Sequence, residues 1–209
     1  MNHSFKDQVD ASNESFPNLI MLIDAQNKRR LILAQSLINS GYELVVECKT
    51  AEGLLDLVDK NKPDIIVMGI DGPDKLTLDN LVMLNKKHPI PVVVFAEDEA
   101  PQVIEQSIKA GVSAYIVNDI QPHRLKSIIN VAYVRFIEHQ KLTTELARTK
   151  NALADRKVLE KAKGLLMRQK NIVEEEAFNL IRKISMNKGL PIAKVAADII
   201  EVLELIELD

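Results

Sequence analysis

The sequence predicts an α/β domain with a five-stranded parallel sheet, followed by a long helix and an all-α module of three helices. Five short apolar runs rich in Val and Ile alternate with amphipathic stretches between residues 18 and 130. Buried parallel strands have this composition, and their alternation with helices indicates a sheet covered on both faces. From Leu125 onward no Pro or Gly interrupts the helical pattern until Gly164, and two further helical patterns follow.

Turn residues bound the expected elements of the first domain. A helix over Lys28–Ser40 is expected to end at Gly41, and Thr50 is expected to cap the second helix. Pro101 and Pro122 stand where first helical turns are expected to begin. The five expected strands are Leu19–Ile23, Leu44–Val46, Ile65–Ile70, Ile90–Phe95 and Ala114–Val117.

The long helix carries a short heptad seam. Its members follow one another at spacings of four, three and four residues: Leu142, Leu146, Thr149 and Leu153. The seam predicts that residues 131–155 form a coiled-coil linker helix that pairs with a second copy of the chain. Packing of the seam on its own chain is the alternative, because Arg135 and His139 weaken the seam at its start.

The final segment, residues 156–209, predicts two more short helices. Three glutamates favour a helix start near Val173, with an end near Gly189, and Pro191 is expected to open the last helix. Residues 156–194 hold ten basic and four acidic residues, a net charge of +6, whereas residues 195–209 hold five acids and no base. A local basic zone is typical of phosphate binding, although a solvated helix surface has the same composition.

The composition narrows the class of protein. The chain has 209 residues, 46% hydrophobic and 27% charged, with a formal net charge of -3, which indicates a folded protein. No run of about 18 or more apolar residues appears, so we expect no membrane span. The polar stretch 1–17 lacks the layout of a signal peptide, so we expect a flexible tail and a cytoplasmic protein. Cys48 is the single cysteine, which excludes an internal disulfide and a cysteine metal cluster. The histidines are scattered and no nucleophile–base pair is evident, so we expect no enzyme activity, no cofactor and no metal.

Three landmarks of the first domain carry a family resemblance: Gly41-Tyr42, the stretch 62–67 (Lys-Pro-Asp-Ile-Ile-Val), and the stretch 110–115 (Ala-Gly-Val-Ser-Ala-Tyr). On these landmarks residues 18–130 resemble the receiver domain of response regulators, which implies a flavodoxin-like fold. The family needs an acidic pair that helps to bind Mg²⁺, an aspartate that accepts the phosphoryl group, a hydroxyl residue and a lysine. Metal and lysine neutralise the charge of the transferred group.

This chain departs from the receiver pattern at nearly every one of these positions. Asp24 remains from the acidic pair, but Ala25 stands in place of its acidic partner. Gly69 stands at the acceptor position, Ala96 at the hydroxyl position and Asn118 at the lysine position. Glycine offers no side chain for phosphorylation, and a lone carboxylate binds Mg²⁺ poorly. We therefore expect a pseudo-receiver in which Gly69 is the degenerate phosphoacceptor position and Asp24 is a remnant of the acidic pocket. Asp71, two residues beyond Gly69, is the alternative acceptor.

Three motifs in order carry a second resemblance: Ala162-Lys163-Gly164-x-Leu166-Met167, then Glu176-Ala177-Phe178 with Leu180-Ile181-Arg182, then Val195-Ala196-x-x-Ile199-Ile200. They resemble the ANTAR module, a small three-helix RNA-binding domain. RNA hairpin loops present a compact curve of phosphates that a cationic helical face can hold. The candidate RNA-binding residues are Lys161, Lys163, Gly164, Arg168, Arg182 and Lys183.

The order of pseudo-receiver, coiled coil and ANTAR module is similar to the nitrate-assimilation antiterminators, the NasT-like proteins. This resemblance implies binding to a two-hairpin leader RNA of nitrate or nitrite assimilation operons. It also implies release from a nitrate-sensing or nitrite-sensing protein, without phosphorylation. An amidase-type antiterminator with another sensor and a phosphorylation-dependent regulator are the alternatives. A DNA-binding regulator is less compatible, because the last helix is largely apolar and ends in acids.

Overall fold

The computed structural model describes residues 16–117 and 121–206. The expected flexible tail therefore lies, apart from its last two residues, outside the described residues, and so does Asn118. The chain divides into two compact units, Met1–His139 and Gln140–Asp209, which are described in turn.

The first unit contains the predicted five-stranded parallel sheet. The strands lie side by side in the order β2-β1-β3-β4-β5, and all four pairings are parallel, which confirms the predicted fold class. Strand β4 begins at Val92 and not at Ile90, because Pro91 has no N–H group to donate to a neighbouring strand. The strands are β1 (Leu19–Asp24), β2 (Glu43–Cys48), β3 (Ile65–Ile70), β4 (Val92–Ala96) and β5 (Ala114–Val117).

Helices connect the strands, as the alternating pattern predicts. They are α1 (Asn27–Asn39), α2 (Leu54–Asn61), α3 (Lys75–Lys87), α4 (Pro101–Lys109) and the 49-residue α5 (Pro122–Lys170). The expected starts at Pro101 and Pro122 are confirmed. The expected cap at Thr50 is wrong, because α2 begins only after Gly53. Gly53 has a φ of 64°, a left-handed conformation that glycine adopts without a steric penalty, and the chain turns there before the helix starts.

Both faces of the sheet are covered by helices. Along β1, Ile20 and Leu22 enter the core beneath α1 and α5, whereas Met21 and Ile23 enter the core beneath α2 and α3. This alternation follows from the two-residue period of a strand. Since both faces are apolar, polar chemistry is confined to the edge where the carboxyl ends of the strands meet, and Asp24 lies there.

The second unit contains the C-terminal part of α5, then α6 (Glu174–Lys188) and α7 (Ile192–Ile206). Its core holds one fully buried alanine from each helix, and these small side chains let the helices approach closely: Ala162, Ala177 and Ala196. The N–H of Val173 donates to the Glu176 carboxylate (3.2 Å), and Gly189 ends α6 with a φ of 63°. The predicted ends of α6 are therefore confirmed.

Candidate functional site

The first candidate site is the carboxyl edge of the sheet in the first unit. Asp24 ends β1, is fully buried, and lies directly beside Gly69 of β3 in the strand register. Arg29 of α1 contacts both oxygens of this carboxylate: Nε donates to Oδ2 (2.7 Å) and Nη2 donates to Oδ1 (3.1 Å). Such a two-bond pair is the strongest hydrogen-bonded geometry available to a carboxylate and a guanidinium.

The same guanidinium contacts two further carboxylates. Arg29 Nη1 donates to Asp71 Oδ1 (3.0 Å), just beyond β3, and to Glu97 Oε1 (3.2 Å), just beyond β4. Burial of Arg29 lowers the pKa of its guanidinium, but the hydrogen bonds to Asp24 and Asp71 outweigh this effect, so that the pKa is raised. One permanent cation thus links the ends of three adjacent strands.

The residues at this edge do not fit the Mg²⁺ site that the receiver resemblance implies. Both oxygens of Asp24 already accept hydrogen bonds from Arg29. Within the described residues, no group of three His, Cys, Asp or Glu side chains is arranged to hold a metal ion. Asp71, the alternative acceptor, accepts hydrogen bonds from Arg29 and from Gln26 Nε2 (2.8 Å).

Gly69 fits the pair of Asp24 and Arg29 sterically. A Cβ atom at this position would lie 1.9 Å from Asp24 Oδ2 and 2.9 Å from Arg29 Nε. Any larger residue therefore requires the buried carboxylate to move. Ala96, at the position where the receiver resemblance expects a hydroxyl residue, is buried in β4 and has no side-chain oxygen.

The second candidate site is the cationic surface of the second unit, where the six sequence-predicted residues fall into three groups. Lys161 and Lys163 are ion-paired, Lys161 with Glu204 (2.6 Å) and Lys163 with both Glu160 (2.8 Å) and Glu174 (2.6 Å). Three cations are exposed, and within the part of the chain that the structure describes they have no ion-pair partner: Arg168, Arg182 and Lys183. Gly164 forms the third group.

Lys163 is held in an unusual setting for a cation of a proposed RNA surface. Its side chain is 9% exposed, although its partners Glu160 and Glu174 are 54% and 66% exposed. Hydrogen bonds to Glu160 and Glu174 raise the pKa of the Lys163 ammonium, and Lys163 in turn lowers the pKa of the Glu174 carboxyl. Both groups are therefore charged at neutral pH.

Gly164 is not needed for the packing of its own module. A Cβ atom added there would meet no atom of the chain within 4 Å. Glycine weakens a helix interior, so its presence at an open position calls for a reason other than helix packing. Close approach of another molecule is such a reason.

A stripe along α6 presents four exposed side chains at helical spacing. They are separated by three, one and three residues, and Met186 is 71% exposed: Asn179, Arg182, Lys183 and Met186. The opposite face of α6 enters the core through Ala177 and Ile181. We call these four residues the α6 stripe. Asn179 and Met186 were not predicted from the sequence, although their spacing of three and four residues from Arg182 places them on the same helix face.

The predicted seam of α5 is exposed within the second unit. Leu142 is 64% exposed, and Leu146 and Leu153 are each 55% exposed. The chain itself therefore leaves more than half of each of these side chains open to solvent, unlike the side chains of its core. Among the described residues, no helix combines the length and the apolar character that crossing a bilayer requires.

Comparisons with known proteins agree with both resemblances. Residues 20–130 match the response regulator receiver domain, and residues 147–200 match the ANTAR domain, which implies an RNA-binding antiterminator. The transcriptional regulatory protein PdtaR of Mycobacterium tuberculosis is 28% identical over 192 residues, which cover 92% of this chain and 94% of that protein. A nitrate regulatory protein of Klebsiella oxytoca is 38% identical over 68 residues, 32% of this chain and 17% of that protein.

A solved structure supports the fold of the first unit. The CheY-like receiver domain of Methanospirillum hungatei JF-1 aligns with a TM-score of 0.51 and 20% identity, covering 59% of this chain and 98% of that one. At this identity the likeness shows the fold alone.

Proposed function

The chain belongs to the response regulator receiver family and carries an ANTAR domain, and from this premise we propose that it is a transcription antiterminator that binds a two-hairpin leader RNA. The observation that carries the proposal is the α6 stripe. An amide, two cations and an exposed thioether lie on one face of a short helix, opposite the core. Unstacked loop bases are read by polar edges and by stacking on guanidinium planes, and phosphates are held by cations.

Three of the four remaining sequence-predicted residues extend this proposed surface on α5. Arg168 is an exposed cation without an ion-pair partner in the described part of the chain, and Lys161 is exposed beside Glu204. Gly164 provides the open position at which an RNA backbone approaches. The net charge of +6 over residues 156–194 supports phosphate binding, so the affinity should fall steeply as salt rises.

We propose further that the chain acts as a homodimer through the α5 seam. The three exposed leucines continue at heptad spacing, and a partner helix would remove their apolar surface from water. A dimer presents two ANTAR modules, which matches the two hairpins of the proposed leader. Linking the two modules raises the effective concentration for the second contact.

We propose that a sensor protein, and not phosphorylation, controls this activity. Arg29 occupies both oxygens of the Asp24 carboxylate, and Gly69 leaves no carboxylate at the acceptor position. The likeness to the nitrate regulatory protein favours nitrate or nitrite as the signal. An amidase-type regulator with another sensor is the alternative on the same architecture.

Selection from a pool of two-hairpin RNAs with randomised loops tests the RNA-binding proposal. The full chain should retain RNAs with a subset of the loop sequences and should bind these enriched RNAs in gel shifts. Duplex DNA of equal length is the control. Retention of duplex DNA with no enriched hairpin would contradict the proposal.

Incubation with acetyl phosphate and Mg²⁺, followed by intact mass measurement, tests the proposal of regulation without phosphorylation. Incorporation of a stable phosphoryl group would contradict that proposal.

A further inference from the structure

Lys163 differs from every other cation that the sequence places on the proposed RNA surface. It is the one buried basic residue within the described ranges 16–117 and 121–206. Its ammonium contacts two carboxylates, at 2.8 Å from Glu160 and at 2.6 Å from Glu174. An ammonium in this position must leave both partners before it reaches a phosphate.

The two carboxylates lie on different helices. Glu160 precedes Lys163 by three residues on α5, so this pair lies on one face of one helix. Glu174 is the first residue of α6, on the far side of the turn through Asn171, which has a φ of 50°. The Lys163–Glu174 contact therefore ties the start of α6 to α5.

We propose that Lys163 is a positioning residue that fixes the orientation of α6, and with it the α6 stripe, and that it makes no phosphate contact. The inference rests on the proposed RNA-binding function. Without Glu174, the mostly covered Lys163 side chain would be paired only with Glu160 on its own helix, so the contact that ties α6 to α5 would be lost. An exposed cation such as Arg182 has no such constraint and is available to phosphate.

The sign of the effect at Glu174 separates this inference from simple electrostatics. Glu174→Gln removes a negative charge from a surface that binds a polyanion, which by charge alone should strengthen RNA binding. If Lys163 positions α6 through Glu174, the same substitution should weaken binding. Glu175→Gln is the matched control, because this neighbouring glutamate is exposed and has no partner among the described residues. It should leave binding unchanged or strengthen it.

The salt dependence of binding gives a second measurement that a purely structural role does not alter. Each lost phosphate contact reduces the slope of log K against log salt by about 0.7–0.9. Arg182→Gln should reduce the slope by about that amount. Lys163→Gln should lower the fraction of chains whose α6 stripe has the binding orientation, and so lower affinity at every salt concentration, but with an unchanged slope, because the bound state makes the same phosphate contacts. Lys163→Arg keeps the charge and should restore part of the affinity.

The experiment uses the full chain and the two-hairpin RNA that the wild-type protein enriches most. Far-ultraviolet circular dichroism confirms that each variant folds, and if Lys163→Gln does not fold, the comparison of Glu174→Gln with Glu175→Gln decides. A reduced salt slope for Lys163→Gln, or tighter binding by Glu174→Gln, would overturn the inference. If the wild-type chain enriches no hairpin, the proposed function fails instead, and the two failures are distinguishable.

Discussion

Substitution of Gly69 by alanine should destabilise the first unit strongly, because the added Cβ atom would overlap the buried Asp24 carboxylate. The overlap distance of 1.9 Å requires Asp24 Oδ2 to move by more than about 1 Å before it reaches an ordinary contact. That movement breaks its 2.7 Å hydrogen bond with Arg29. Overpacking contributes about 1–3 kcal/mol and the lost charge-assisted hydrogen bond about 1.5–3 kcal/mol, which together give about 2.5–6 kcal/mol.

Hydrogen exchange of the β1 and β3 amides in the intact chain measures this loss, since these strands report the stability of the unit that contains the clash. Gly72→Ala is a matched control three residues further along. Its Cβ atom would lie 3.3 Å from the Asp98 side chain, so a small adjustment suffices. We expect this control to change the free energy of opening by less than about 1 kcal/mol.

A double-mutant cycle identifies Asp24 as the cause. In an Asp24→Ala background the 1.9 Å overlap no longer exists, and Arg29 Nε, 2.9 Å from the added Cβ atom, is released from its Asp24 partner and can move away, so Gly69→Ala should lose most of its effect. The resulting coupling free energy should be at least about 2 kcal/mol. Additive effects of the two substitutions, or equal losses for Gly69→Ala and Gly72→Ala, would refute the steric argument.

Three further predictions follow from the second unit. Gly164→Ala should stabilise the unit by about 0.5–1 kcal/mol in thermal melts, because a Cβ atom at this position meets no other atom and alanine favours the helix. The same substitution should weaken RNA binding in gel shifts. Stabilisation without weaker binding would remove Gly164 from the interface. Leu146→Asp should convert the proposed dimer to a monomer in sedimentation equilibrium, whereas Leu31→Asp, at another exposed leucine, should leave it a dimer. If both variants are monomers, or both are dimers, dimerisation through the seam is contradicted. The ion pairs of Lys163 with Glu160 and Glu174 should stabilise the unit between pH 4.5 and pH 10.5, because Glu160 and Glu174 raise the pKa of Lys163 from 10.5 and Lys163 lowers the pKa of Glu174 from 4.5. Stability should be lost as the pH falls through the lowered carboxyl pKa or rises through the raised ammonium pKa. In thermal melts Glu174→Gln should remove the loss at acid pH and, because Glu160 remains, only part of the loss at alkaline pH.

The strands and most helix ends of this chain were predictable because their signals are local. Ile20 and Met21 point to opposite faces by the period of a strand, and Pro101 and Gly189 mark helix ends through their own backbone preferences. The predicted cap at Thr50 was wrong because the chain makes a left-handed turn at Gly53, and α2 begins only after it.

The candidate sites were only partly predictable. The sequence pointed to Asp24 and Gly69 through the receiver resemblance, but it gave no role to Arg29. It also marked Lys163 as a surface cation, because the Ala-Lys-Gly motif does not show what the lysine contacts. Arg29 lies 42 residues from Asp71 and 68 from Glu97, and Lys163 lies 11 from Glu174. Contacts at such separations leave no periodic pattern in the chain.

The sequence by itself determined the order of elements, the apolar face of each, and the glycine at position 69, where the receiver resemblance expects the acceptor aspartate. These follow from side-chain identity and from repeats of two, three and four residues. Only the tertiary structure decided which charges are paired. Arg29 contacts three carboxylates at the edge of the sheet, and Lys163 contacts two, whereas Arg182 stays exposed. The physical reason is that a charge is neutralised by whatever the fold brings within about 3 Å of it, and folding alone sets that distance.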